Sequence, residues 1–385
     1  MHVFIHVLSL LFVFVSVIYF IYILLHLFVW IKLPNTNKSD DYIPQTKISI
    51  IIPARNEESA IFGCITAISE QTYPADLIEL IIVDDHSTDG TKEIAGEAVS
   101  GLKIASKIIS NGEEYHGKKS AINEGIKNAS GELIVITDAD CKSNANWLMT
   151  MEYEYRQSGA YMLCGPVQIT KQQGFLGHFQ SLELCGLSLL SGAGIQLGVP
   201  LLCNGANMAY THSIFDQLQV FSGINANPSG DDVLFMFKVH QNYPGKICYV
   251  KSKDALVSTS AQSTYHDFFS QRIRWASKGL TSNNRLNSLV SLLVFGANLL
   301  SVIAILVILV HGKLPVLLMW GLDLKVLADF LLLLVATGYF GKKRLLFIFP
   351  LAELFTMLYT VWIGITVSFS SYSWKGRRYK QHMQG

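Results

Sequence analysis

Glu132-Leu-Ile-Val-Ile-Thr-Asp-Ala-Asp140 is the stretch on which the reading of the chain turns. Residues 133–137 are apolar or β-branched, as expected of a short strand buried on both faces of a parallel sheet. The run ends in two carboxylates, Asp138 and Asp140, with one small residue between them. Side chains alternate along extended chain, so residues two apart point the same way. Both acids then face one spot at the carboxyl end of a strand, where open α/β sheets bind ligands. Two carboxylates at one point repel unless a cation sits between them, and hard oxygen ligands suit Mg²⁺ or Mn²⁺. Taken alone, the stretch also fits a polar turn after a strand. Its neighbours decide between the two.

Upstream, residues 47–53 read as a strand, 57–70 as a helix, 77–83 as a strand and 91–99 as a helix. Residues 103–109 form a weaker strand pattern and 118–128 a helical one. Strands alternating with helices of about ten residues predict a mostly parallel, doubly wound sheet. Its strand ends converge on one edge. Each carries polar residues: Arg55-Asn-Glu-Glu58, Asp84-Asp-His-Ser-Thr-Asp-Gly90 and Asp138-Ala-Asp140. No Gly-x-Gly-x-x-Gly follows the first strand and no P-loop pattern occurs, which argues against a dinucleotide site. Further on, residues 174–197 are rich in Leu and Gly, with Glu183 the only formal charge. They read as a buried or membrane-surface helix and a loop, not a span. Residues 264–279 read as an aromatic and basic helix containing Gln271-Arg-Ile-Arg-Trp275.

Half of the residues are hydrophobic and only 15% are charged, too apolar for an ordinary soluble enzyme. The excess lies at the two ends. Residues 3–31 contain no Lys, Arg, Asp or Glu, enough to cross a bilayer core of about 30 Å. The run exceeds the about 7–15 residues of a signal-peptide core and lacks a small-residue cleavage site, so an uncleaved anchor is expected. Three more apolar segments cover 289–310, 314–339 and 345–369. The middle one carries Asp323, Lys325 and Asp329, and charges at that depth normally face other helices or a cavity. Lys32, Lys38 and Lys47 place the following loop in the cytoplasm by the positive-inside rule. Three later spans would put the basic tail around Arg377 outside, which the same rule disfavours. A segment that does not fully span would remove the conflict.

The expected division is an anchor over 1–33, a linker over 34–46 and a cytoplasmic catalytic domain over 47–285. Three C-terminal apolar segments over 286–371 and a basic tail over 372–385 complete it. A net charge of +1 gives no sign of nucleic-acid binding. Six cysteines without Cys-x-x-Cys spacing read as buried thiols in a reducing compartment.

Four motifs in order carry a family resemblance: Ile50-Ile-Ile-Pro-Ala-Arg-Asn-Glu-Glu58, Ile82-Val-Asp-Asp-His-Ser-Thr-Asp-Gly-Thr91, Gly117-Lys-Lys-Ser-Ala-Ile-Asn123 and Asp138-Ala-Asp140. Together they resemble family 2 glycosyltransferases. Asp231-Asp232 and Gln271-x-x-Arg-Trp275 extend the likeness to the membrane-bound branch with cellulose, chitin and hyaluronan synthases and ceramide glucosyltransferases. The resemblance spans about residues 48–279. It implies a GT-A fold and inverting transfer from a nucleotide-sugar, usually a UDP-sugar.

On that resemblance Asp85 contacts the uracil ring, whose N3–H needs an acceptor. The loop of Ala54, Arg55 and Glu57 wraps base and ribose, although Glu57 would also suit the first turn of a helix. Lys118, at a helix start, faces the diphosphate. Asp140 matches the metal-binding acid, and Asp138 touches the donor or shares the metal. Asp232 is the expected general base, taking the acceptor proton as the hydroxyl attacks. Gly230-Asp231 stands where the family usually has Thr-Glu, so Asp231 is either an acceptor contact or a helix cap. Gln271, Arg274 and Trp275 share one helix face, offering a diphosphate clamp and a flat surface for a sugar. A basic helix resting on the membrane explains the same pattern. Cys203-Asn-Gly-Ala-Asn-Met208 resembles an acceptor loop, with Asn204, Gly205 and Asn207 as contacts; Asn207 could equally satisfy a buried turn.

The expected activity is transfer of a sugar to a membrane lipid or lipid-linked hydroxyl, with a divalent metal. Two alternatives stand: a processive synthase of an extracellular β-linked polysaccharide, and a non-catalytic nucleotide-sugar-binding membrane scaffold.

Overall fold

Residues 2–39, 41–112, 116–218, 231–281, 284–311, 315–367, 372–374 and 377–379 are described by the computed structural model. The chain folds as two units, one over Leu33–Lys171 and Leu190–Ala261, the other over Met1–Lys32, Gln172–Leu189 and Gln262–Gly385.

The first elements are α1 (His2–Lys32), β1 (Ile48–Ala54), α2 (Ile61–Ser69), β2 (Ile78–Asp84), α3 (Thr91–Val99), β3 (Ala105–Ser110) and α4 (Lys118–Lys127). Then come β4 (Leu133–Ile136), β5 (Lys142–Ser143), α5 (Trp147–Ser158), β6 (Met162–Cys164), β7 (Val167–Lys171), α6 (Gly174–Gln196), β8 (Met208–Thr211) and α7 (His212–Leu218). The chain continues with α8 (Asp231–Asn242), β9 (Ile247–Tyr249), β10 (Val257–Ser260), α9 (Tyr265–Thr281), α10 (Arg285–His311), α11 (Val316–Tyr339) and α12 (Phe349–Thr366). Two short antiparallel strands follow, β11 (Tyr372–Trp374) and β12 (Arg377–Tyr379). The other residues of the basic tail, and Gly230, lie outside the described residues.

The first unit is built on a seven-stranded sheet of order β3-β2-β1-β4-β8-β6-β9. Strands β3, β2, β1 and β4 run parallel, and β2 and β4 are buried along their whole length. Continuous apolar runs such as Leu133–Ile136 are what such strands require. The pattern of β3 was weaker because it is the edge strand, with alternate residues exposed. Ala54 pairs with Asp84, Asp84 with Ser110, and Ile51 with Ile136, so the carboxyl ends line up. Beyond β4 the sheet is mixed: β8 runs antiparallel to β4 and β6. A smaller sheet has the order β5-β10-β7.

Two boundaries differ from expectation for local reasons. The helix expected from residue 57 begins at Ile61. The Glu57 N–H donates to Thr91 Oγ1 (2.7 Å), and the Glu58 carboxylate takes the Gly90 N–H (2.9 Å). These bonds hold residues 55–58 as a loop against the next strand's end. Residues 174–196 form one unbroken helix rather than a helix and a loop. Along residues 34–46, the Thr36 N–H donates to the Lys251 carbonyl (2.9 Å), and Lys251 Nζ donates to the Leu33 carbonyl just before them (2.7 Å). Buried Glu152 accepts from Tyr42 (2.6 Å) and Thr46 (2.8 Å), so the segment is strapped to α5.

At the amino end of the strands, Glu79 ties four chain segments together. It accepts from Ser49 of β1 (2.7 Å), from the Ser130 N–H (2.8 Å) and hydroxyl (2.9 Å), and from Lys107 of β3 (2.9 Å). Burial opposes its ionisation, yet these donors hold its carboxyl down at about 2.

The helical unit contains α1, the start of α6, and α9 to α12. Among the described residues, three helices are long and apolar enough to cross a membrane: Ile5–Lys32, Arg285–Val310 and Lys343–Thr366. The fourth expected segment, α11, carries Asp323, Lys325 and Asp329. Lys325 and Asp329 face other helices, whereas Asp323 is exposed. Lys325, fully buried, bonds Asp329 (2.9 Å) and Glu353 of α12, while the Tyr19 hydroxyl of α1 donates to Asp329 (2.5 Å). Phe12 packs over Gly321, where a Cβ would stand 2.6 Å from its ring. Such close approach is how small residues join helices in an apolar setting.

Candidate active site

Asp85 directly follows β2 and is buried, its N–H held by the Ala54 carbonyl (2.8 Å). Its carboxylate accepts from Asn111 Nδ2 (2.9 Å) and from the Gly117 N–H (3.1 and 3.0 Å to the two oxygens). Gly117 caps α4 at φ +101°, a conformation that costs a residue with a Cβ dearly and glycine little. Arg55 Nη1 donates to the carbonyls of Asp85 (2.6 Å) and His86 (2.8 Å), which fixes the loop expected to wrap a base. Asn56 and His86 both take positive φ there, at 50° and 59°. Glu57 is therefore a loop residue rather than a helix starter.

Lys118 opens α4, and its ammonium meets Asp138 Oδ1 at 2.5 Å. The expected diphosphate ligand and the expected donor contact are thus one ion pair. Asp140 accepts from Thr259 Oγ1 (3.3 Å) and from the Cys141 thiol (3.4 Å). Ligand atoms of Asp138, Asp140 and Cys141 all lie within 4.8 Å of one another. Burial, and then the charges of Asp140 and Asp138, push the Cys141 thiol well above its ordinary pKa. The two carboxylates beside it offer hard oxygen donors. That donor set fits a hard cation such as Mg²⁺ or Mn²⁺.

Asp232, in the first turn of α8, is buried. Its Oδ1 accepts from the Val233 N–H (2.8 Å) and its Oδ2 from the Gly205 N–H (3.3 Å). A Cβ on Gly205 would stand 3.3 Å from both Asp232 Oδ2 and Lys118 Nζ. The acid on α8 and the cation on α4 therefore flank one bare stretch of backbone. Asn204 Oδ1 accepts from the Ala206 N–H (3.0 Å), shaping this turn. Asn207 has a different task. Its amide takes Trp147 Nε1–H (2.9 Å) and donates to the carbonyls of Pro166 and Ala255 (2.8 Å each), fully buried. All of its polar capacity but one acceptor position is used internally, so the buried-turn reading describes it. The side chain of Asp231 is outside what is described.

The family model for glycosyl transferase family 2 matches residues 49–219, the span that holds Asp85, Lys118, Asp138, Asp140 and Gly205. The chain carries a family 2 glycosyltransferase domain. It is 34% identical over 127 residues to glycosyltransferase AglE of Haloferax volcanii, covering 33% of this chain and 41% of that protein. It is 28% identical over 149 residues to the 4,4'-diaponeurosporenoate glycosyltransferase of Staphylococcus aureus, covering 37% of this chain and 38% of the relative. The matches thus span well under half of these relatives. The structure is similar to the mannosyltransferase PcManGT of Pyrobaculum calidifontis, solved with GDP-Man and Mn²⁺. The TM-score is 0.56 at 18% identity, over 94% of this chain and 99% of that one. The likeness is one of fold, the GT-A arrangement.

The family 2 match stops before Asp232 and before the Gln-x-x-Arg-Trp helix. Gln271, Arg274 and Trp275 lie in α9, within the helical unit. There the buried charged residue is Arg272, which the motif reading passed over. Its guanidinium bonds Glu183 of α6, donates to Gln271 Oε1 (2.5 Å), and lies 4.5 Å and 4.2 Å from the ring centres of Phe268 and Trp275. Glu183 also accepts from Tyr359 of α12. A signal existed: 268, 272 and 275 are spaced i, i+4, i+7, one helix face, and Glu183 is the lone charge in an apolar helix. Of the two residues that hold Asp85, Gly117 stood in the third motif without an assigned role, and Asn111 had no sequence signal.

Proposed function

We propose that the protein is an inverting glycosyltransferase that moves a sugar from a nucleotide-sugar, a UDP-sugar by resemblance, to a hydroxyl of a membrane lipid or lipid-linked acceptor. The observation that carries this reading is the convergence at one sheet edge of Asp85, the Lys118–Asp138 pair, Asp140 and Asp232 around Gly205. Asp85 presents an acceptor to a base, which suits the N3–H of uracil or N1–H of guanine and not the bare N3 of cytosine. Lys118 neutralises phosphate charge beside the α4 N-terminus. Asp138 and Asp140 would hold a divalent metal, Mg²⁺ or Mn²⁺, whose role is to stabilise charge on the departing diphosphate. The Mn²⁺ in the mannosyltransferase supports that assignment.

Asp232 acts as base. Its carboxylate takes the proton of the acceptor hydroxyl while that oxygen bonds the anomeric carbon. The bond from that carbon to the diphosphate oxygen breaks, and the nucleoside diphosphate leaves with the electron pair. Attack opposite the leaving group inverts the centre. The Gly205 and Val233 N–H groups hold the carboxylate in place for this step. Gln271, Arg274 and Trp275 complete the donor and acceptor contacts in this proposal, as do Asn204 and Asp231 on the acceptor side. Three helices of membrane-crossing length fit a lipid-borne acceptor. So does a relative named for one discrete acceptor, 4,4'-diaponeurosporenoate, rather than for a polymer.

The test is nucleoside-diphosphate release by the purified chain with membrane lipid extract, Mn²⁺ or Mg²⁺, and a panel of UDP-sugars with GDP-mannose. Turnover that Asp232→Asn abolishes is the expected result. Full activity in that variant, or no turnover with any donor, refutes the assignment. Product mass separates one sugar on a lipid from a polysaccharide.

A further inference from the structure

Beside the donor edge lies a second group of ligand atoms with different chemistry. One ligand atom each of Asp85, His86 and His116 lies within 4.8 Å of the other two. The His86 nitrogen is 3.3 Å from the carboxylate oxygen and 3.4 Å from the His116 nitrogen. A neutral imidazole carries one proton, so His86 Nδ1 donates to at most one of these neighbours. Both separations are long for hydrogen bonds to ring nitrogen. They match instead the edges of a tetrahedron with bonds of 2.0–2.1 Å, which are about 3.3–3.4 Å.

The surroundings are those of a ligand set. Asp85 is oriented by Asn111 and the Gly117 N–H, and Asn111 is itself fixed by Ser120 Oγ (2.9 Å to its Oδ1). Outer hydrogen bonds of this kind hold ligating carboxylates in metal sites. His86 is held at φ 59° by Arg55, which bonds the carbonyls on both sides of its N–Cα–C unit. Non-glycine residues in that region are uncommon, and such conformations cluster at ligand sites. We infer that Asp85, His86 and His116 form a cation site for a borderline metal of the Zn²⁺ class, separate from the all-oxygen pair Asp138 and Asp140. Two imidazoles and one carboxylate select Zn²⁺ over Mg²⁺ and Mn²⁺. A cation there occupies the carboxylate oxygen that Asp85 would offer to the base, so zinc and nucleotide exclude each other. This second consequence rests on the glycosyltransferase reading; the binding itself does not.

The experiment is equilibrium dialysis of ZnCl₂ against the untagged, metal-stripped full chain in detergent, in an Asp140→Asn background that disables the oxygen pair. One zinc per chain is expected, retained against excess MgCl₂ or MnCl₂. His116→Ala, an exposed position, and His86→Gly, which keeps the positive φ, should each weaken binding at least about tenfold. No zinc uptake, or uptake that survives both histidine substitutions, overturns the site. Adding UDP should weaken zinc binding, and zinc should weaken UDP by the same factor. Histidine-dependent zinc binding that UDP leaves unchanged upholds the cation site and refutes the nucleotide contact at Asp85. Turnover by the unsubstituted chain without any zinc uptake overturns the cation site and leaves the glycosyltransferase reading standing.

Discussion

Replacing Glu79 by Gln removes the charge that ties β1, β2, β3 and the turn before β4, at the end of the sheet opposite the donor edge. The folded carboxyl sits at about 2 against an ordinary 4.5. At about 1.36 kcal/mol per unit, that difference corresponds to a ceiling of about 3 kcal/mol. Glu79 is only 6% exposed, but its partner Lys107 is half exposed. Solvent screening of that ammonium lowers the expected contribution to about 2 kcal/mol. The sign follows from the depressed pKa: the stabilisation is complete above pH 4.5 and is lost as pH falls towards 2. At pH 3 about 40% of it should remain. Thermal unfolding of both proteins in detergent measures this. Glu79→Gln should lower the midpoint at pH 7 by about 4–8 °C, at about 2–4 °C per kcal/mol for a domain of this size. The gap should narrow by more than half at pH 3. A gap that is absent at pH 7, or constant from pH 7 to pH 3, refutes the argument.

Gly205→Ala puts a methyl 3.3 Å from Asp232 Oδ2 and Lys118 Nζ, so both must give by a few tenths of an ångström. If Asp232 is the base, kcat should fall about tenfold with donor binding nearly intact, measured by steady-state kinetics and UDP titration. Asn207→Ala leaves Trp147 Nε1 and the carbonyls of Pro166 and Ala255 without their bonds, a loss of about 3 kcal/mol visible as a lower unfolding midpoint. Lys325→Met leaves Asp329 and Glu353 facing each other unneutralised and should cost about 3–5 kcal/mol. Recovery of the folded yield by Lys325→Met combined with Asp329→Leu and Glu353→Leu distinguishes lost charge balance from lost packing. Chelation by EDTA should stop turnover and Mn²⁺ or Mg²⁺ should restore it; undiminished turnover in EDTA removes the metal from the mechanism.

Local pattern determined much of this protein. Uninterrupted apolar runs such as residues 80–83 and Leu133–Ile136 suit strands buried on both faces. That periodicity, with the polar residues after each strand, was enough to set Asp85, Asp138 and Asp140 on one edge. It could not show the antiparallel join of β4 to β8, because pairing partners distant in sequence leave no periodic trace. Nor could it divide labour among polar residues of one type. Asn207 and Asn111 look alike as letters, yet one satisfies a buried turn and the other aims a carboxylate. Arg272 and Arg274 differ by two positions, and the helix face alone buries the first against Glu183. The same holds for the opening pair of acids. Their presence at a strand's end was legible from Asp138-Ala-Asp140 itself. That Lys118 neutralises one of them, and that the Cys141 thiol donates to the other, depends on α4 and the buried turn being packed around them, and only the tertiary structure decides that.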